Sequence, residues 1–554
     1  MRKIHTVRHL LASCLILSGS LVYGTDYYVN NVTGKDTLDG KSAEVNGTSG
    51  PLKTVNKAIS FTKPGDTIHM ANTGKLYRQS IQFSGKGGTE GKPITVDGHG
   101  ATISGAEICP AEGWKEYKDG ILTRDDMSTA VFMMIDGKMV FGRYARDAIT
   151  PGEFCYEEKT LYFYPPQEDK NFLKTAAIEV EIKGAKTKLE TKWSQCHSKI
   201  PQVRRYRGIE RPEKIYVNGK EAPIIVAKER LKPGMWCTEN YIYGYPPKSA
   251  LYYMPPQGKN IKDLKIECII RQNGVGMQGK FSYVIIKNMN AIHVGNDGYN
   301  IHGEVTKVEF YNCNAKECGD EGFSAHDKCG TLLDGAVYEN CDNGIANVNN
   351  EGYSITKNVI LANSRHVGFL LQSPKTAWHQ LENAIIVNNP SQFGVADLKA
   401  DNVLIVTTAG TSKYSGGIGC GRNVELKRVT VFGNKGQALR LSKGSSLKFD
   451  NGLFWGNNRI FHFRYDNPAE LIKFKNIVTG PEITVEWGSK YPWKKLKLAE
   501  WFAKMQTEGS AENCKVDSKL TQEVTGTIDK SALQENGCSK ELIDKYNKYI
   551  ESKK

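Results

Sequence analysis

The feature that most restricts this chain is a short apolar strand ending in asparagine that returns every 20 to 30 residues. Val284-Ile285-Ile286-Lys287-Asn288 is followed by segments ending at Asn312, Asn340, Asn363 and Asn388, with later versions ending at Asn434 and Asn457. The first five asparagines are 24, 28, 23 and 25 residues apart. Asparagine tolerates the left-handed conformation of a tight corner, and its amide can bond to its equivalent on the next turn. A strand and a corner in every unit predict a parallel β-helix, with Asn288, Asn312 and Asn340 stacked in one column. The leucine spacing of a horseshoe repeat is absent.

Each unit holds a second strand, seen as Tyr299-Asn300-Ile301-His302, Phe323-Ser324-Ala325-His326, Phe369-Leu370-Leu371-Gln372 and Leu439-Arg440-Leu441-Ser442. Alternation sends Tyr299, Ile301, Phe323, Leu439 and Leu441 inward. Asn300, His302, Ser324, His326, Gln372 and Arg440 then face outward.

Residues 1–24 read as a signal peptide. Arg2, Lys3 and Arg8 precede an apolar run from Leu10 to Val22, with small residues before Thr25. The expected location is therefore secreted or periplasmic. No later run is apolar enough to be an integral membrane segment. Removing three basic residues takes the formal charge from +14 to +11. That charge suits an anionic glycan or serves solubility alone; no nucleic-acid motif is present. Twelve cysteines remain after Cys14, without the paired spacing of a zinc site. Cys514 and Cys538 flank one segment and could bridge, whereas Cys313 and Cys341 follow equivalent strands and are expected to stack. The chain is expected to act as a monomer.

Residues 25–110 combine strands, an Asp-Gly loop, a helical pattern at Leu52, Val55, Ala58 and Ile59, and Pro64-Gly65-Asp66-Thr67-Ile68. This stretch resembles the N-terminal cap of secreted right-handed parallel β-helix enzymes that act on polysaccharides. Residues 111–270 interrupt the coils with a duplication. Ile135-Asp136-Gly137-Lys138 returns as Val217-Asn218-Gly219-Lys220, and Cys155 as Cys237, both at an offset of 82. Two small β modules are expected there. A basic connector from Lys183 to Lys214 is either a solvated linker or a grip on an anionic chain. The main coils and the site are assigned to 271–465, and the last coils and a C-terminal cap to 466–554. The expected class is all-β: a right-handed parallel β-helix with inserted β modules and a cap.

Two segments carry the chemistry: Gly295-Asn296-Asp297-Gly298 and, one unit on, Gly319-Asp320-Glu321-Gly322. Rungs of a parallel sheet lie about 4.8 Å apart. Aligning the glycines sets Asp297 beside Glu321, Asn296 beside Asp320 and His302 beside His326. Stacked carboxylates raise one another's pKa, and glycoside hydrolysis needs one carboxyl that keeps its proton beside one that does not. Turn residues, since Asp before Gly is ordinary turn chemistry, and a calcium site using Asp320 and Asp327 are the competing readings. No other cofactor is expected.

The same residues resemble the polygalacturonase-type hydrolases, whose coils carry Asn-x-Asp-Gly, Gly-Asp-Asp and Gly-His-Gly. The first two have counterparts here, with Glu321 for the final Asp, and Asp342-Asn343-Gly344 stands where the third is expected. The cap, the inserted modules and an Asp and Glu one coil apart also resemble the β-helix glycoside hydrolases of families 120 and 141. The resemblance implies a glycoside hydrolase on a plant or algal polysaccharide or oligosaccharide. Asp297 would be nucleophile or base and Glu321 general acid, with Asp320 able to replace either. Substrate contacts are expected at His302, His326, Asn300, Gln372 and Arg440. The alternatives are a polysaccharide lyase using a histidine base and a non-catalytic glycan-binding solenoid.

Overall fold

The computed structural model describes residues 24–118 and most of 251–554, together with backbone strands of the stretch between. Residues 1–23 of the expected signal peptide lie outside the described residues, as do the side chains of residues 154–222, which include the basic connector. The chain forms a parallel β-solenoid of about 11 turns. Each coil has three strand segments. In the coil that opens at Tyr299 they form one 18-residue ladder, Tyr299–Lys316, bent at Gly303, Lys307 and Asn312, all with positive φ. Tyr299–Ile301 pairs with Phe323–Ala325, Val308–Tyr311 with Thr331–Asp334, and Ala315–Lys316 with Tyr338–Glu339.

This three-sided coil corrects the single asparagine column. Asn288 and Asn312 stack at the corner after the middle segment, at φ 54° and 52°, and that column continues through Gly335, Asn358, Asn383 and Asn402. Asn340 belongs to a second column, after the third segment, with Glu317, Asn363 and Asn388. The odd spacing of 28 is the trace of the switch: a step of 5 from Asn312 to the next corner at Glu317, then a coil of 23 to Asn340. Both columns are amide ladders. Asn312 donates to Asn288 at 3.2 Å, Asn383 to Asn358 at 3.2 Å, and Asn388 to Asn363 at 3.2 Å.

Inward side chains from every coil merge in one continuous core that includes Ile286, Tyr299, Ile301, Phe310, Phe323, Leu439 and Phe461. Its first end is closed by α1 (Val55–Phe61), which buries Val55, Ala58 and Ile59 at the expected helical spacing. Near the other end α2 (Leu498–Thr507) adds Trp501, Phe502 and Met505 to the same core. A last helix, α3 (Lys540–Glu551), does not cap the end. It packs Leu542, Ile543, Tyr546 and Tyr549 along the third face, against Ile360, Ile385 and Leu404.

Between the first coils and the main body the chain forms antiparallel sheets. The duplicated segments are both hairpins, Phe132–Ile135 with Lys138–Val140 and Lys214–Val217 with Lys220–Ala222. Cys514 and Cys538 are unbridged, and Cys538 is buried among the residues under α3. Cys341 neighbours the Cys318 thiol, one residue past the second corner column, and not Cys313. Among the described residues no helix is long and apolar enough to cross a membrane.

Candidate active site

The acidic segments occupy the loop that enters the first strand of each coil. The register matches the alignment by glycines: Tyr299 pairs with Phe323, and the Gly298 N–H donates to the Glu321 carbonyl at 3.0 Å. Neither Gly298 nor Gly322 has positive φ. They are glycines because successive rungs touch there. A Cβ on Gly298 would lie 2.6 Å from the Gly322 oxygen, and one on Gly322 would lie 2.7 Å from the Gly344 oxygen. These positions serve close rung contact and not a left-handed turn.

Asp297, Asp320 and Glu321 present carboxylate oxygens that all lie within 4.8 Å of one another. Asp297 is 1% exposed. Its Oδ1 accepts from the Glu321 N–H at 3.0 Å, and its Oδ2 from Ser324 Oγ at 2.5 Å and from Asn300 Nδ2. Asn300 therefore faces outward as expected but serves Asp297. Burial, then the Asp297 and Asp320 charges, push the Glu321 carboxyl up to about 11, so it holds its proton at neutral pH. Burial first, and then Asp297, raise Asp320 to about 6.

The neighbouring rungs complete the site. Asn343 Nδ2 donates to Glu321 Oε1 at 2.9 Å, and Asn273 Oδ1 accepts from Asn296 Nδ2 at 3.1 Å and the Asp297 N–H at 3.2 Å. Asp342 accepts from Arg365 Nε at 2.9 Å and lies 2.6 Å from His366 Nδ1. Arg365 also reaches back to the Gly319 carbonyl at 2.7 Å, tying three coils together. Ser324 and Asn343 were visible as polar residues in the repeat. Their convergence on two carboxyls was not, because it needs the register of three coils.

His302 and His326 stack at 4.1 Å between centroids and 3° between planes. Burial, and then the neighbouring ring, lower the His326 pKa. Gln372 follows in the same column, beyond Val348, and is exposed. Arg440 lies several coils away. Asp327 is separated from Asp320 by the strand Glu321–Asp327, about 20 Å at roughly 3.3 Å per residue, and accepts from the Gly303 N–H at 3.0 Å. The expected Asp320–Asp327 calcium pair is therefore not brought together. The acids that do converge, Asp297, Asp320 and Glu321, offer three of the six or more oxygens that calcium needs.

No family description matches the chain, and no curated protein matches it in sequence. Among solved structures, a glycoside hydrolase matches 94% of this chain and 100% of its own, with a TM-score of 0.50 at 11% identity. XylC in complex with xylose matches 89% of this chain and 83% of its own, with a TM-score of 0.38 at 12% identity. Pectate lyase Pel9A matches 81% and 82%, with a TM-score of 0.38 at 11% identity. At 11% identity the likeness to the first of these shows a shared fold alone, and the reaction has to be argued from the site.

Proposed function

We propose that the protein is an exported glycoside hydrolase acting on a polysaccharide or oligosaccharide at the Asp297–Asp320–Glu321 cluster. The observation that carries this reading is the convergence of three carboxyls within 4.8 Å of one another, where burial and the neighbouring charges raise Glu321. Glu321 gives its proton to the glycosidic oxygen as the bond to the anomeric carbon breaks. Asp297 attacks that carbon, oriented by Ser324, Asn300 and the Glu321 amide. Water, deprotonated by the Glu321 carboxylate, then releases the sugar from Asp297 and restores both acids. Asp320 supplies a charge that keeps the proton on Glu321.

A lyase is the second reading, supported by His326, which its lowered pKa keeps neutral and able to act as a base. Incubation with neutral, uronic and sulfated glycans, with products read by mass, tests both readings. Hydrolysis adds one water per bond cleaved. Elimination adds none and leaves a double bond that absorbs in the ultraviolet.

A further inference from the structure

We infer that the protein has a second, anion-binding subsite on the face that carries the acid cluster, built from Arg440, Arg464 and His462, which takes the carboxylate or sulfate of a charged sugar residue. Arg440 and His462 are adjacent outward residues of neighbouring rungs, and Arg464 lies two residues beyond His462. Among the described residues no acid pairs with either arginine; the nearby buried Glu486 is taken by Lys495 at 2.7 Å. Arg440 Nε is buried without a hydrogen-bond partner. His462 is 1% exposed, and its Nε2 is likewise unpartnered. Its Nδ1 lies 3.0 Å from Gln437 Nε2, a donor, so Nε2 carries the ring hydrogen. Burial, and then the Arg464 charge, hold the imidazole down to about 4, so it is a neutral donor. The same two causes lower the Arg440 pKa.

Orphaned donors around an uncompensated guanidinium are costly, and an anion satisfies all of them together. An aromatic platform adjoins them. Trp493 lies over His462 at 4.3 Å, and Tyr491, 83% exposed, meets Trp493 edge to face at 5.7 Å. Aromatic faces beside charge-assisted donors suit a sugar ring bearing a negative group.

Arg440 stands five coils from Glu321, roughly 24 Å at about 4.8 Å per rung. That span is several sugar residues. The charged acids beside protonated Glu321 repel a negative sugar, so an anionic chain is gripped at a distance from where it is cut. Assigning the occupant to the same glycan rests on the hydrolase reading; the anion site itself does not.

The test is calorimetric titration of the full protein with glucuronate, glucose 6-sulfate and glucose, on the parent and on Arg440→Gln, Arg464→Gln and Glu321→Gln. Both charged sugars should bind at least tenfold more tightly than glucose, and their ratio separates carboxylate from sulfate recognition. Each arginine variant should lose tenfold or more with an undiminished Tm, while Glu321→Gln binds as the parent does. Should Arg440→Gln fail to fold, Arg440→Lys, which keeps the charge without the fork, should bind between parent and Arg464→Gln. Glucose binding as tightly as the charged sugars, or folded arginine variants that bind like the parent, overturns the subsite. Charged sugars that bind to a protein cleaving no glycan leave the subsite standing and overturn the hydrolase reading alone.

Discussion

At the scale of single residues, the site turns on where one proton sits. Glu321 is half-buried beside two acids, and its carboxyl is raised from 4.5 to about 11. A raised carboxyl binds its proton in the folded protein where the unfolded chain has lost it. The resulting stability is complete below about pH 4.5 and falls as pH climbs towards the folded value. Glu321→Gln should therefore lower kcat by about 10²- to 10⁴-fold. Its Tm should match or exceed the parent's at pH 8, with a gain that shrinks towards pH 4. Melts at the two pH values, beside rate measurements, check this, and a variant that loses stability with activity would point to a structural carboxyl. Asp320→Asn removes a charge that raises Glu321. The alkaline limb of kcat/KM should then move to lower pH, because the acid gives up its proton more easily. A pH profile of the variant with an unmoved limb would leave Asp320 without that role.

At the scale of the coil, register converts sequence spacing into chemistry. Residues 24 apart, Asp297 and Glu321, become neighbours because Tyr299 pairs with Phe323. Their nearest oxygens lie within 4.8 Å of each other, no farther apart than the roughly 5–5.5 Å of retaining enzymes and well short of the roughly 6.5–9.5 Å that admits a water. The first-formed product should keep the anomeric configuration of the substrate, as proton NMR of the new reducing end will show. An inverted anomer would transfer the base role to a water-binding pair. The corner ladder is testable separately. Asn383 has φ 51°, donates to Asn358 at 3.2 Å and accepts from Asn402 at 2.8 Å. Asn383→Ala strains the left-handed backbone and breaks both bonds, a loss of about 2–4 kcal/mol in denaturant unfolding.

At the scale of the molecule, the described residues are held by the continuous apolar core and the helices that cover it, with no cross-link among them. The ten cysteines among the described residues are all unbridged, nine of them buried. Burial raises the Cys313, Cys329 and Cys420 thiols to about 12, which keeps them unreactive. Adding a reductant should leave the Tm unchanged, and a fall on reduction would show that a bridge forms after all.

The amino-acid sequence by itself determined the repeat, the inward and outward faces, the pairing of Asp297 with Glu321 and the stacking of His302 on His326. All of these follow from local alternation and one coil length. Only the tertiary structure decided that Asn312 and Asn340 turn different corners, since a strand's sequence does not say which side of a coil it occupies. The same holds for α3, whose apolar stripe would suit the open end as well as the third face. The donors that converge on Asp297 and Glu321 come from several coils at once. Protonation of Glu321 depends on burial and two neighbouring charges added together, and the unpartnered Nε of Arg440 depends on what the described residues of the adjoining rungs fail to supply. Such sums exist only once the rungs are stacked.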